Sequence, residues 1–195
     1  MGAGLNIAQG VEKVEPDTTC FAFVGDSTFF ASAITGVVNA VYNQANMVLV
    51  VLDNSTTAMT GHQPHPGTGR TVMGEIVQKI NIEQVLRGIG VTEIETINPL
   101  ELEASVSCVK RMAEKSGVRA IIFKAPCIAV TKPKAPLHVD QDSCIGCKKC
   151  IRDLGCPAIV MNDGKICIDA SMCTGCHLCS QVCPVCAIAG GEDHE

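Results

Sequence analysis

The sequence predicts an α/β protein, a parallel sheet with flanking helices, followed by a small cysteine-rich α+β domain. Three observations carry this. Up to about residue 130, short β-branched runs alternate with segments of helical period. Strand–helix–strand units of that kind build parallel sheets with right-handed crossovers. Residues 125–136 then hold three prolines, the composition of a connector. Finally, ten of the 13 cysteines fall after residue 143, in two similar runs. The expected division is a first domain over 1–130, a linker over 131–136 and a second domain over 137–195.

Taken in order, residues 20–25 are a short apolar strand running into a turn. Residues 28–43 place Ile34, Val37, Val38 and Val41 at helical spacing. Residues 47–53 are a continuous apolar run, as in a strand buried on both faces. A helix is expected over 82–86, a third strand over 91–97 and a helix over 99–115 with Pro99 near its start. A fourth strand follows over 118–124. In the second domain Cys156-Pro157-Ala158-Ile159 and Cys183-Pro184-Val185-Cys186-Ala187-Ile188 end two repeated halves alike. Between them Asn162-Asp163-Gly164-Lys165 is a hairpin turn signal flanked by β-branched residues.

Hydrophobic residues make up 47% of the chain and aromatic residues 3%, so the core must be aliphatic. A net charge of −5 argues against a nucleic-acid partner, which would need a basic face. No apolar run approaches the roughly 20 residues of a membrane span, and the N-terminus fits neither a secretory signal nor a myristoylation site. A soluble cytoplasmic protein with no membrane partner is expected.

The cysteine runs read Cys144-Ile-Gly-Cys147-Lys-Lys-Cys150…Cys156-Pro157 and Cys173-Thr-Gly-Cys176-His-Leu-Cys179…Cys183-Pro184. Three thiolates at three-residue spacing can wrap one face of an iron–sulfur cubane, and a proline-flanked cysteine of the opposite run can supply the fourth. Zinc is the alternative for any single C-x-x-C pair, but zinc sites use two pairs across a long spacer. Two [4Fe–4S] clusters, and hence one-electron transfer, are the favoured reading.

In the first domain Gly25-Asp26-Ser27 ends the first strand and Asp53-Asn54 ends the second. A βαβ crossover brings Asp26 and Asn54 to one edge of the sheet, where open parallel sheets bind ligands. A carboxylate and an amide oxygen are hard ligands suited to Mg2+. The turn at Gly25 lets backbone approach a diphosphate, and the helix start after Ser27 favours anions. An aspartate after a strand can also simply cap a helix; the partner Asn54, 28 residues on, favours the site.

The stretch Gly25-Asp26-Ser27-Thr28-Phe29-Phe30, followed by Asp53-Asn54-Ser55-Thr56-Thr57-Ala58-Met59-Thr60-Gly61-His62-Gln63-Pro64-His65-Pro66-Gly67, resembles the indolepyruvate ferredoxin oxidoreductase alpha-subunit family. With the cysteine-rich tail the resemblance covers almost the whole chain. It implies a thiamine-diphosphate-binding fold followed by a bacterial-ferredoxin-like domain. It implies that Asp26, Asn54 and the main-chain carbonyl of Thr56 bind Mg2+, with Gly25 and Ser27 completing the thiamine diphosphate site. The loop 60–67 would lie over cofactor and substrate. His62 and His65 are then candidates to touch diphosphate or substrate, against the reading of solvated imidazoles on a rigid loop.

The same resemblance assigns Cys144, Cys147, Cys150 and Cys183 to one cluster and Cys156, Cys173, Cys176 and Cys179 to the other. Five residues, rather than the usual three, separate Cys150 from Cys156. Cys20, Cys108, Cys127, Cys167 and Cys186 are expected to be buried apolar thiols. The implied reaction is oxidative decarboxylation of a 2-oxoacid such as an arylpyruvate, with transfer of the acyl group to coenzyme A. Electrons would leave through both clusters to an external ferredoxin.

Two departures stand out. Ala31-Ser32-Ala33 occupies the place of a His, a small residue and Gly. The chain also starts where the alpha subunit is half complete, so the glutamate that activates the aminopyrimidine must come from an N-terminal half or a separate subunit, beside a beta-type subunit. Rival readings are a ferredoxin-type electron-transfer or assembly subunit with a non-catalytic thiamine domain, and an oxidoreductase for pyruvate or a branched-chain acid. Mg2+-dependent binding of thiamine diphosphate separates the carrier from the enzymes.

Overall fold

The computed structural model describes residues 1–132 and 134–190. The chain divides into two units, Met1–Val130 and Thr131–Glu195.

The first unit is built around strand β2 (Met47–Asp53). Its parallel neighbours are β1 (Cys20–Gly25) and β4 (Val118–Lys124), and β3 (Glu93–Ile97) pairs with the far side of β4, giving the order β1-β2-β4-β3. Met47 to Val51 are all buried because helices cover both faces. Met47, Leu49 and Val51 point to one face, against Leu5 and Ala8 of α1 (Ala3–Val14), Val37 of α3 (Ile34–Tyr42) and Leu86 of α4 (Ile82–Ile89). Val48 and Val50 point to the other, against Cys108 and Met112 of α5 (Leu102–Glu114). Each fully buried Val or Leu contributes roughly 1.5–3 kcal/mol relative to exposure.

Helix α1 escaped the sequence reading. Its inward residues Leu5, Ala8, Gln9 and Glu12 have helical spacing, but two of the four are polar. Gln9 is tolerated inside because its side-chain amide donates to the Gly36 carbonyl at 3.1 Å and accepts from Asn39 at 2.6 Å.

The helix after β1 starts at Asp26 rather than residue 28, and it is not uniform. A first turn, α2 (Asp26–Thr28), leads into a π-helical turn, Phe29–Ala33, before α3. The wider turn carries Phe29 and Ala33 into the core together; such π turns are frequent at functional sites. Pro99 does not begin α5. Asn98 accepts the Leu100 N–H on its side chain and the Glu101 N–H on its carbonyl, a turn that delays the helix to Leu102.

The second unit repeats one motif twice. Strand β5 (Leu137–Val139) pairs with β8 (Ile188–Gly190), and β6 (Ile159–Asn162) forms a hairpin with β7 (Lys165–Ile168). Asp163 and Gly164 turn the hairpin with φ of 47° and 77°, as a mirror-image two-residue turn requires. Short helices α6 (Lys149–Leu154) and α7 (Leu178–Val182) follow the two cysteine runs. The halves correspond bond for bond. The Asp140 N–H donates to the Ala187 carbonyl and the Asp169 N–H to that of Ala158, each at 2.8 Å. Asp140 and Asp169 in turn accept the Cys144 and Cys173 N–H groups, each at 3.0 Å. Among the described residues no helix is long and apolar enough to cross a membrane.

Candidate cofactor sites

Parallel register sets Gly25 beside Leu52 and Asp53 beside Lys124, so the carboxyl ends of β1, β2 and β4 form one edge. Asp26 is buried there. Its Oδ1 accepts the Ser27 N–H at 2.7 Å and its Oδ2 accepts the Ser55 N–H at 2.9 Å. The carboxylate therefore ties the start of α2 to the loop after β2. It does not act as helix cap: Gly25 holds that position. Asn54 turns its Oδ1 onto the Thr56 N–H at 3.2 Å, while its carbonyl accepts the Cys127 N–H at 2.9 Å. Asp53 accepts the same Ser55 N–H at 3.1 Å. Burial raises the Asp26 pKa above the ordinary carboxylate value; the Ser27 and Ser55 N–H groups and His65 oppose this, and Asp53 adds to it.

The two histidines part company. His62 is exposed, with φ +63°. His65 is 8% exposed, not a solvated loop imidazole. Its Nδ1 accepts the Gly67 N–H at 3.2 Å, which places the ring proton on Nε2 if the ring is neutral. Nε2 lies 3.1 Å from Asp26 Oδ2, close but out of line, so this buried nitrogen lacks an aligned hydrogen-bond partner. Phe30 stacks on the ring with centroids 5.7 Å apart. Beside His65 an open recess of about 770 Å³ is lined by Asp53, Lys79, Asn81, Thr96 and Lys124, among others. Lys124 contacts Asp53 at 3.4 Å. Sequence reading placed Lys124 at the end of a strand but did not extend the shared-edge argument to it; Lys79, in an irregular segment, carried no signal.

In the second unit, Cys144, Cys147, Cys150 and Cys183 line one recess of about 340 Å³. Around Cys179 stand Cys176, Cys173 and Cys156; burial first, then those three thiols, push its pKa up to about 11. Each group thus holds three cysteines of one run and the proline-flanked cysteine of the other. Backbone N–H groups reach two sulfurs: Leu137 donates to Cys173 Sγ at 3.4 Å and Ala187 to Cys183 Sγ at 3.3 Å. No disulfide links any of the 13 cysteines. Cys20 and Cys108 are buried as expected. Cys186 is instead exposed, and Cys127 and Cys167 are half-buried. The short turn after Cys183 gives Cys186 a φ of 52° and leaves it outside the packing.

Residues 1–123 match the family described as thiamine pyrophosphate enzyme, C-terminal TPP binding domain. The chain belongs to this thiamine pyrophosphate enzyme family. Residues 137–184 match the 4Fe-4S dicluster domain. Among curated relatives, the indolepyruvate oxidoreductase subunit IorA of Methanothermobacter thermautotrophicus is 46% identical over 169 residues, covering 86% of this chain and 27% of the relative. The subunit of the same name from Archaeoglobus fulgidus is 39% identical over 194 residues, covering 96% of this chain and 31% of the relative. The chain thus spans less than a third of the length of either. A solved 2-oxoglutarate:ferredoxin oxidoreductase from Magnetococcus marinus superposes with a TM-score of 0.60 at 20% identity, over 67% of this chain and 47% of that one. It shares the fold.

The residues fit what this thiamine pyrophosphate family carries. Asp26, the Asn54 amide and the Thr56 carbonyl offer hard oxygens, and the unpaired Nε2 of His65 leaves a buried polar atom for a ligand to satisfy. In the second unit sulfur donors come together, with Cys144, Cys147, Cys150 and Cys183 around one recess.

Proposed function

We propose that this chain is the C-terminal part of an oxidoreductase that decarboxylates a 2-oxoacid of the arylpyruvate class oxidatively. The acyl group passes to coenzyme A and single electrons leave through two [4Fe–4S] clusters to a ferredoxin. One observation carries this reading: a single chain joins a buried acidic edge of the thiamine fold to two sets of four thiols. A thiamine enzyme without redox chemistry has no use for such a conduit. The arylpyruvate class is supported by the names of the curated relatives.

Thiamine diphosphate, when bound, supplies the electron sink for decarboxylation. The protein's part is placement. Asp26, Asn54 and the Thr56 carbonyl hold Mg2+ against the diphosphate, and the Gly25–Ser27 turn lets backbone approach it. His65 pins the loop 60–67 onto the same edge. Cys144, Cys147, Cys150 and Cys183 hold one cluster; Cys156, Cys173, Cys176 and Cys179 hold the other. The groups that engage the aminopyrimidine come from a further segment or partner subunit.

Titration calorimetry under anaerobic conditions, with the partner chains present, tests this. Thiamine diphosphate should bind only with Mg2+, and Asp26→Ala should weaken it by at least about tenfold, the loss of one charged contact. Iron should reach about eight per chain. No thiamine diphosphate affinity in the complete assembly would leave only the electron-carrier reading.

A further inference from the structure

The two halves of the second unit share a backbone plan but not a surface. Lys148 and His177 occupy equivalent left-handed positions, with φ of 60° and 61°. Around the first run, residues 144–156 carry Lys148, Lys149 and Arg152 against one carboxylate, Asp153. Lys149 meets Asp153 at 4.0 Å, leaving two cations free of that pairing. The equivalent stretch 173–183 has no Lys, Arg, Asp or Glu.

Exposure differs in the same sense. Ile145, Gly146, Cys147, Lys148 and Lys149 are all exposed. Gly175, the counterpart of Gly146, is buried under the incoming segment: a Cβ there would lie 2.7 Å from the Ala135 carbonyl oxygen and 2.7 Å from Lys134 Cβ. Cys176 and His177 are half-buried. The recess at the first run is also rimmed by Ile145 and Val185, which are 65% and 38% exposed. A small apolar centre within a cationic rim is the make-up of a transient docking surface.

We propose that the face formed by Ile145, Cys147, Lys148, Lys149, Arg152 and Val185 docks an acidic one-electron carrier protein, and that electrons leave through the Cys144–Cys150 loop rather than the Cys173–Cys179 loop. One electron passes from the reduced chain to the oxidised carrier; no bond forms or breaks and no proton need move. The inference deepens the electron-transfer part of the proposed function and rests on that part alone.

The test uses the full chain, reconstituted anaerobically with iron and sulfide, reduced with dithionite and freed of excess reductant. It is mixed in stopped flow with an acidic ferredoxin at low and high ionic strength. Calorimetry measures binding of the same ferredoxin in parallel. The triple variant K148Q/K149Q/R152Q should lose about tenfold in second-order rate and in affinity at low salt, converging with the unsubstituted chain at high salt. Lys134→Gln, a cation beside Gly175 of the second run, should change neither, and a small uncharged acceptor should react equally with all three. If the triple variant takes up less iron, Lys148→Gln and Arg152→Gln singly should each give part of the loss. A triple variant that binds and reduces the ferredoxin as well as the unsubstituted chain at low salt overturns the proposal. Neither measurement needs thiamine diphosphate or a 2-oxoacid, so failure of the decarboxylase reading leaves the outcome intact, and failure of docking leaves that reading intact.

Discussion

Truncating His65 to Ala removes a buried anchor, and its cost can be built from its contacts. The side chain is 5% exposed. It gives up the acceptor for the Gly67 N–H, about 1 kcal/mol. It also gives up the stack on Phe30, about 1 kcal/mol, and leaves a small void. The expected loss is about 2–3 kcal/mol. The chain has no Trp, so far-UV circular dichroism in urea is the suitable measure. At a slope of roughly 2 kcal/mol per molar urea, the midpoint should fall by about 1–1.5 M. His62, exposed and next to Gln63 in the bridge that residue forms with Thr57, is the internal control: His62→Ala should move stability by less than about 0.5 kcal/mol. His65→Ala should also weaken Mg2+-dependent thiamine diphosphate binding, since the freed loop no longer sits against Asp26. A midpoint for His65→Ala within about 0.2 M of the unsubstituted chain, equivalent to only about 0.4 kcal/mol at that slope, or a larger effect of His62→Ala, would refute the anchoring role.

Two further outcomes follow from packing and charge. Gly146 and Gly175 share φ near +65°, but only Gly175 is overlaid by backbone. Gly146→Ala should therefore cost about 1 kcal/mol of backbone strain, while Gly175→Ala costs more and lowers iron content after anaerobic reconstitution; equal losses would show that the overlying segment is not packed there. Cys108 lies in the core, where burial first and Glu95 second push its pKa up to about 11 from 9.0. A raised folded-state value means stability present below pH 9.0 and lost as pH climbs through about 11. Cys108→Val should flatten the fall of melting temperature between pH 8.5 and 10.5, and an unchanged slope would place that titration elsewhere.

Much of the first unit was legible because β-branched runs in a parallel sheet announce themselves. β1, β2 and β4 begin and end where their apolar runs do. What stayed hidden depends on contacts distant in sequence. Helix α1 was invisible because Gln9 looks like a surface residue until Gly36 and Asn39 supply its partners. The Asp26–Asn54 edge could be read from chain order alone. The role of His65 could not, since a Pro-rich loop gives no hint that its second histidine folds back to Asp26. The two cysteine runs were legible from spacing and their division into sets came from the family resemblance, whereas the exposure of Cys186 follows from a left-handed turn that residue type does not encode.

Several departures from local preference gather at the two candidate sites. Ser55 and His62 take left-handed backbone with side chains that disfavour it. The helix after β1 opens into a π turn at Phe29–Ala33. Asp26 is buried with a raised pKa, and His65 Nε2 is buried without an aligned partner. Asp26, Ser55 and His65 meet at one carboxylate, and the π turn brings Phe30 against the His65 ring. In the second unit the left-handed non-glycine residues Lys148 and His177 immediately precede the third cysteine's helix in each run. Strain of this kind persists only where surrounding structure holds it, and it gathers at functional sites. A scaffold retained for packing alone has no reason to keep a buried carboxylate facing an unsatisfied histidine. The same edge in a chain that had lost its ligand would be free to drift toward neutral, well-packed residues. Substituting Asp26 and His65 together by Asn and Phe imitates that drift. The double variant forfeits one of the two acceptors that Asp26 offers to backbone N–H groups and the His65 acceptor for Gly67, so it should lose about 2 kcal/mol, while losing Mg2+-dependent affinity altogether. Loss of stability with affinity retained would show that the pair serves the fold and not the ligand.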